Sequence, residues 1–371
     1  MSVQTVKLPN FIRNWPWQRR INPHYEQVKR AGRDWMAGFD FFDAKSQDAF
    51  ERCDFARLAA LTQPDVDAAA LRTANDYVLT VYVLDEYSDF EDEHVTRKLA
   101  DILMDGLMNP DNPRPQGEFG LGEMARQWWA LGRHTATPMA ERHMFETMQL
   151  YVDAVVQQSA DRNQNKLRSF EDYIQLRRHS SGIYPTFVLC ELDLDFPEEV
   201  YQHPLLQKMR DTACDNVLAI NDIYSYRVER ARGHALHNLV TIVMSEQNID
   251  AQGAIDYIDA WNQELLQDML RCKKSLPSWG ADIDRQVQQY AEDLCHWLRG
   301  HDDWSFESQR YFGTRGAWMQ EHREIIMPGL VDREDANSLT KHRQAEVDME
   351  AEKDKIAALQ IRRDLVVAGR Q

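Results

Sequence analysis

Apolar residues recur at three- and four-residue spacing along most of the chain, and that period predicts helices. The stretches that carry it are roughly 24–38, 47–61, 66–88, 94–108, 121–133, 138–160, 169–181, 185–192, 203–232, 237–246, 250–273, 280–299 and 317–326. No alternating run is long enough to predict a useful strand, and no glycine pattern marks a Rossmann or P-loop turn. Residues 1–23 carry Pro9, Pro16 and Pro23 among Trp15, Trp17, Arg19 and Arg20, which predicts an irregular arm packed by its aromatics. The prolines and asparagines of 109–117 predict a loop. From Val78 to Leu84 the helix at 66–88 is apolar on nearly all sides, the mark of a buried central helix. Beyond Pro328 the pattern is lost and charged residues dominate 333–358, which predicts a solvated tail. The expectation is an all-α chain with an arm (1–23), one helical domain (24–328) and a tail (329–371).

Polar residues interrupt the apolar pattern in two informative places. The first is Asn221-Asp222-Ile223-Tyr224-Ser225-Tyr226-Arg227-Val228-Glu229, with Asn221, Ser225 and Glu229 at i, i+4 and i+8. On a helix these share one slowly drifting stripe. An amide oxygen, a hydroxyl and a carboxylate in a row are hard oxygen donors, suited to Mg²⁺ with water and phosphate oxygens completing its shell. The second is Asp85-Glu86-Tyr87-Ser88-Asp89, where the buried helix ends in carboxylates that repel one another unless cations neutralise them.

Composition narrows the chemistry. A net charge of −17 disfavours general nucleic-acid or anionic-membrane binding, so an anionic substrate would need metals or a local arginine cluster. The five cysteines are odd in number and form no CxxC pair, which reads as reduced thiols in a cytoplasmic protein. No apolar run is long enough to span a bilayer, and the start of the chain lacks the run of a signal peptide.

Three further features acquire meaning only together. Arg177-Arg178-His179-Ser180-Ser181-Gly182-Ile183-Tyr184-Pro185 holds a glycine and a proline that predict a helix break near 181–184, with backbone carbonyls released there. Arg310 and Tyr311 form an adjacent pair after a run of aromatics. Singly, Arg178 reads as a surface arginine, Gly182 as a loop glycine, and Arg310 and Tyr311 as packing; His234, His237 and His296 read as capping or packing histidines. Tyr77, Tyr82, Phe187, Trp297 and Trp304 singly read as core. Two oxygen-donor sites on separate helices, flanking a broken helix that bears an arginine, make a much less ordinary set.

In that set the chain resembles a class I terpene synthase, and most closely the sesquiterpene synthases of basidiomycete fungi. Asp85, Glu86 and Asp89 match the family's D(D/E)xxD motif, and Asn221, Asp222, Ser225 and Glu229 its (N/D)DxxSxxxE motif. Arg178 stands four residues before Gly182, as the family's diphosphate-sensing arginine stands before its effector glycine, with Ser181 as linker. Arg310 and Tyr311 match its C-terminal Arg–Tyr pair. One departure is Val228, where many members carry Lys or Arg. The resemblance implies a helical bundle around an apolar cavity, three Mg²⁺ and a prenyl diphosphate substrate, farnesyl diphosphate foremost. It implies Asp85, Glu86, Asp89, Asn221, Ser225 and Glu229 on the metals, and Arg178, Arg310 and Tyr311 on the diphosphate. Tyr82, one turn before Asp85, and Phe187 and Trp304 are expected to line the cavity. The sequences around both motifs are similar to enzymes that close a 1,11 ring toward protoilludene-type tricycles. Two other readings remain: a prenyl chain-elongating transferase, although its second motif is normally aspartate-rich, and a non-catalytic helical binding protein. A monomer and a homodimer fit equally.

Overall fold

The computed structural model describes residues 4–231 and 235–327. Its helices are α1 (Tyr25–Met36), α2 (Ala44–Arg52), α3 (Phe55–Thr62), α4 (Ala68–Ser88), α5 (Glu93–Met108), α6 (Leu121–Gly132), α7 (Pro138–Asn163), α8 (Phe170–Ser180), α9 (Ile183–Leu189), α10 (Glu198–Tyr201), α11 (Pro204–Ala231), α12 (Leu239–Gln247), α13 (Ala251–Lys274), α14 (Ala281–Glu307) and α15 (Gly316–His322). Two short strands, β1 (Gln4–Lys7) and β2 (Glu324–Met327), and two single-turn 3-10 helices at Ala235–His237 and Gly313–Arg315 complete the described elements. The all-α expectation holds. The charged tail and His234 lie outside the described residues.

Helix starts follow capping chemistry. Asp67 accepts the Ala69 and Ala70 N–H groups ahead of α4, Asp92 does the same ahead of α5, and Ser169 and Asn238 cap α8 and α12. The long α4 passes through the centre, touching α1, α3, α6 and α9. Its Tyr77, Val83 and Leu84 are sealed from solvent. On the opposite side α11 packs between α13 and α14, and α14 closes onto α3. Gly300 permits that closure, because a Cβ there would stand 2.5 Å from the Leu61 carbonyl oxygen.

Three local expectations fail. The helix expected over 47–61 is two, because Asp54 turns the backbone left-handed (φ 48°) and caps α3 with its own carboxylate. The helix expected over 317–326 ends at His322; Arg323 is left-handed (φ 55°) and β2 follows. The N-terminal arm is also more than irregular. β1 pairs antiparallel with β2, from Gln4 opposite Met327 to Lys7 opposite Glu324. The Leu8 N–H donates to the Arg323 carbonyl at 2.7 Å, and the Arg323 guanidinium donates to the Pro9 carbonyl at 2.7 Å. Farther along, Trp15 stacks on Trp17, whose indole N–H reaches Glu292 at 2.7 Å. The arm thus straps the outside of α13 and α14, as its aromatics suggested. Among the described residues no helix is long and apolar enough to cross a membrane.

Candidate active site

The C-terminal turns of α4 carry Asp85, Glu86 and Asp89 to the rim of a hollow, and the middle of α11 carries Asn221, Ser225 and Glu229 to the same rim. All six line one mouth of about 290 Å³, together with Arg162, Arg177, Arg310 and Tyr311. Below it lies an inner cavity of about 90 Å³ that shares Asp85, Arg177, Asn221 and Arg310 with the mouth. Mouth and cavity therefore form one hollow, oxygen-rich above and lined by Leu58, Val78, Val81, Val217, Leu218 and aromatics below.

The rim is electrostatically uneasy without cations. Asp85 is half open to the mouth yet ringed by protein on its other sides. That loss of solvation, followed by the charges of Asp89 and Glu86, pushes it up to about 7 despite Arg310 and Arg177. Desolvation first, then Asp222, also pushes Glu229 up to about 7. Asp89 pairs with Arg162 at 3.2 Å, and the same guanidinium donates to the Ser88 carbonyl at the end of α4. Among the described residues no three His, Cys, Asp or Glu side chains cluster into a closed metal cage. The donors instead stand in two open sets of hard oxygens, which fits a divalent ion that keeps water and takes phosphate oxygens as ligands.

The α11 row is held from behind. Asp222 turns away from the mouth and accepts the Tyr173 hydroxyl at 2.6 Å and the Leu239 N–H at 2.8 Å. The Asn238 amide donates to the Asp222 carbonyl at 2.7 Å and to the Glu229 carboxylate at 2.9 Å, so it orients a donor of the mouth. Asn221 bridges two neighbours: its oxygen accepts from Arg177 at 3.0 Å and its amide donates to the Tyr311 hydroxyl at 2.7 Å.

The arginines divide differently from the sequence expectation. Arg178 points out of the hollow, in a two-pronged pair with Asp215 at 2.7 and 2.7 Å and within 3.7 Å of Asp211. It lines a larger open groove of about 770 Å³ on the outer face of α7 and α8. That groove mixes charges of both signs and holds none of the two motifs, so its size does not make it the centre. Arg177 is the arginine that faces the mouth, against Asn221 and, at 3.4 Å, Asp222. Neighbouring helical residues point about 100° apart, and here one position separates the inside of the hollow from the outside.

The break between α8 and α9 falls at Ser181 and Gly182, inside the expected range. Gly182 adopts φ 69°, and a Cβ there would lie 3.2 Å from the Tyr77 hydroxyl and 3.3 Å from the Tyr151 ring. Its carbonyl is engaged rather than free, accepting the Tyr77 hydroxyl at 2.6 Å. Arg310 lies over the Tyr82 ring at 4.5 Å, with its nearest nitrogen 4.0 Å from Asp85. Tyr82, stacked on Phe55 at 3.9 Å, lines the cavity. Phe187 and Trp304 do not. Phe187 packs behind Trp297, and Trp304 spends its indole N–H on the Cys53 and Asp54 carbonyls at 2.9 and 3.0 Å, which pins α14 to the α2–α3 joint. The cavity's other aromatic walls are Tyr77, Tyr151 and Trp297, with His301 one turn after Trp297. Sequence reasoning set Tyr77 and Trp297 aside as core and did not single out Tyr151 or His301.

Comparison with known proteins agrees with this geometry. Residues 76–268, over half of the chain, match the family model described as terpene synthase family 2, C-terminal metal binding. A Delta(6)-protoilludene synthase of Stereum hirsutum is 42% identical over 323 residues, which cover 87% of this chain and 88% of that protein. One from Armillaria gallica is 41% identical over 332 residues, 89% of this chain and 96% of that protein. Among solved structures, a point variant of cucumene synthase superposes with a TM-score of 0.70 at 19% identity, over 80% of this chain and all (100%) of the other, which speaks for the fold. With these relatives and with both donor rows facing one hollow, the chain belongs to the terpene synthases and is a terpene cyclase of the fungal sesquiterpene synthase kind.

Proposed function

We propose that the protein, with Mg²⁺, ionises farnesyl diphosphate and cyclises the cation, through a 1,11 closure, to a protoilludene-type hydrocarbon. The observation that carries this reading is the single hollow in which oxygen donors of α4 and α11 face each other above an apolar, aromatic cavity. The relatives named as Delta(6)-protoilludene synthases favour that product class.

Asp85 on one wall, with Glu86 beside it, and Asn221, Ser225 and Glu229 on the other would hold the metal ions. Bound there, divalent metal supplies charge that stabilises the departing diphosphate more than the intact ester. Arg177 and Arg310 flank the same space and would add fixed positive charge, with Tyr311 as a hydroxyl donor. Arg178, committed to Asp215 outside the hollow, has no part in this reading. Asp89, paired with Arg162, serves to fix the end of α4.

The inner cavity is smaller than the roughly 300–1,000 Å³ common for small-molecule sites. Arg310 lying across Tyr82 fills its top. Moving that guanidinium toward the mouth would open room for the hydrocarbon and bring its charge to the diphosphate in one motion. Below, the Tyr77 and Tyr151 hydroxyls are turned to the Gly182 and Val81 carbonyls, which leaves ring carbon to face a cation. Each ring face so used contributes roughly 0.5–2 kcal/mol. Excluding water keeps the cation from being quenched to an alcohol.

The test is gas-chromatographic analysis after incubation with farnesyl diphosphate and Mg²⁺, then with isopentenyl diphosphate added. A tricyclic hydrocarbon from the first mixture is the expected result. A longer diphosphate formed only in the second would assign a chain-elongating transferase, and no turnover in either would point to a binding protein.

A further inference from the structure

We propose that His301 is the base that takes the proton from the last carbocation of the reaction, so that the hydrocarbon leaves as an alkene. This rests on the cyclase reading above and goes beyond it, since nothing in that reading says where the final proton goes. The C–H bond next to the cationic carbon breaks, its electron pair becomes the new C=C bond, and the proton moves to an imidazole nitrogen.

His301 lines the inner cavity from α14, one turn beyond Trp297, and is sealed from bulk solvent. Its Nδ1 is buried without a hydrogen-bond partner. A buried ring nitrogen left unpaired carries a desolvation cost, which a structure tolerates where the group has other work. Asp85 reaches the cavity only at its rim, where it would be held on metal, and below it the rest of the wall offers poor proton acceptors. The Tyr77 and Tyr151 hydroxyls already donate to backbone carbonyls, the Thr186 hydroxyl donates to the Ile183 carbonyl at 2.5 Å, and Trp297 carries only a donor N–H. Ser180 has an unpartnered hydroxyl, but an alcohol is a far weaker base than imidazole.

Depth and charge also favour the histidine over the departing diphosphate. α14 ends at Glu307, so His301 sits six residues back, roughly 9 Å down the helix axis from the end that leads to Arg310. A diphosphate held at the mouth would be clasped by arginines and metal, which lowers its basicity, and a cation deep in the hollow would be nearer the imidazole. Burial, aided by the charge of Arg310, pushes His301 down to about 3. The ring is therefore neutral throughout the neutral range, so it does not repel the cation beforehand. Even so weak a base is ample against a carbocation. The imidazolium that results is relieved once Arg310 has moved to the diphosphate.

The experiment compares the parent with His301→Gln and His301→Phe, on farnesyl diphosphate with Mg²⁺, measuring released diphosphate and every organic product. The expected result is a fall of about tenfold or more in parental alkene per diphosphate released, with isomeric alkenes or alcohols taking its place. Adding imidazole to His301→Gly is expected to restore part of that ratio, which a purely structural role would not allow. An unchanged ratio in both variants, whether total release is kept or lost, would overturn the assignment. Failure of the parent itself to release diphosphate would sink the cyclase reading instead.

Discussion

Arg177 and Arg178 give the sharpest separation between site and scaffold, because neighbouring residues of α8 carry the same side chain one into the hollow and the other out of it. Replacing Arg178 with Ala removes both prongs of its pair with Asp215, whose side chain is only 4% exposed while that of Arg178 is 28% exposed. Exposed pairs contribute about 0–1 kcal/mol, and breaking a fully buried one costs about 3–5 kcal/mol. A half-covered pair of good geometry lies between, at about 2–3 kcal/mol. For a chain of this length that is a melting-temperature loss of roughly 3–4 °C. The loss is capped, since burial already outweighs Arg178 and holds Asp215 above the usual carboxylate range, and without Arg178 the acid protonates more readily. A folded-state value above the unfolded one means that the folded protein holds a proton that the unfolded chain releases. The deficit of Arg178→Ala is therefore fullest where Asp215 is ionised and shrinks as pH falls far enough to protonate it. Turnover, measured well below the melting range, stays near parental. Arg177→Ala behaves in the opposite way. Asp222 keeps Tyr173 and the Leu239 N–H, so stability falls by about 1 kcal/mol. Turnover falls about 10²–10³-fold, the usual loss when a fixed donor to developing negative charge is removed. Melting curves and diphosphate release on the two variants decide it. Lost turnover in well-folded Arg178→Ala, with Arg177→Ala active, would refute the placement of the arginines.

Asp85→Asn is expected to lower turnover by about 10³-fold while leaving the melting temperature equal or higher, because it relieves repulsion at the rim; diphosphate release and thermal unfolding check both halves. Metal-free protein should melt lower as pH rises from 5 to 8. Asp85 and Glu229 sit at about 7 when folded, so folding is favoured while they keep protons and loses that help as pH passes through 7. Added Mg²⁺ should raise the melting point more at pH 8 than at pH 6, as thermal scans with and without chelator would show. Asn238→Ala should raise the Mg²⁺ concentration for half-maximal activity about 10–100-fold, through loss of its bond to Glu229, and lower stability by about 1 kcal/mol as the α12 cap is lost.

The two donor rows were legible because a helix repeats its faces every 3.6 residues, so spacing alone put Asn221, Ser225 and Glu229 on one stripe. The same rule, applied to α8, points to Arg177: Tyr173, Ile174, Arg177 and Ser180 form its inward stripe, with Tyr173, Ile174 and Ser180 buried. Counting back four residues from Gly182 instead selected Arg178. Phe187 and Trp304 show a different limit. Both are aromatic, buried and near the motifs, but whether a ring forms the first or the second layer of a wall depends on how helices from distant parts of the sequence settle together. Asn238 left only the signal of a cap before an apolar run, and its reach to Glu229 is tertiary. The break at Asp54 was hidden because the apolar pattern runs through it. β1 and β2, four residues each at opposite ends of the described chain, carry no local sign of each other.

That pairing orders the birth of the molecule. During synthesis Gln4–Lys7 leave the ribosome long before Met327 exists, and at about 5–20 residues per second the wait is roughly 16–65 s. Over that interval Val6, Leu8 and Phe11, all buried in the finished fold, have no final resting place and are natural chaperone clients. Arg310 and Tyr311 emerge only shortly before β2 docks. A nascent or prematurely terminated chain thus carries the acidic rim and Arg177 without the Arg310 and Tyr311 side of the mouth, and completes its cationic set only as its last helices close.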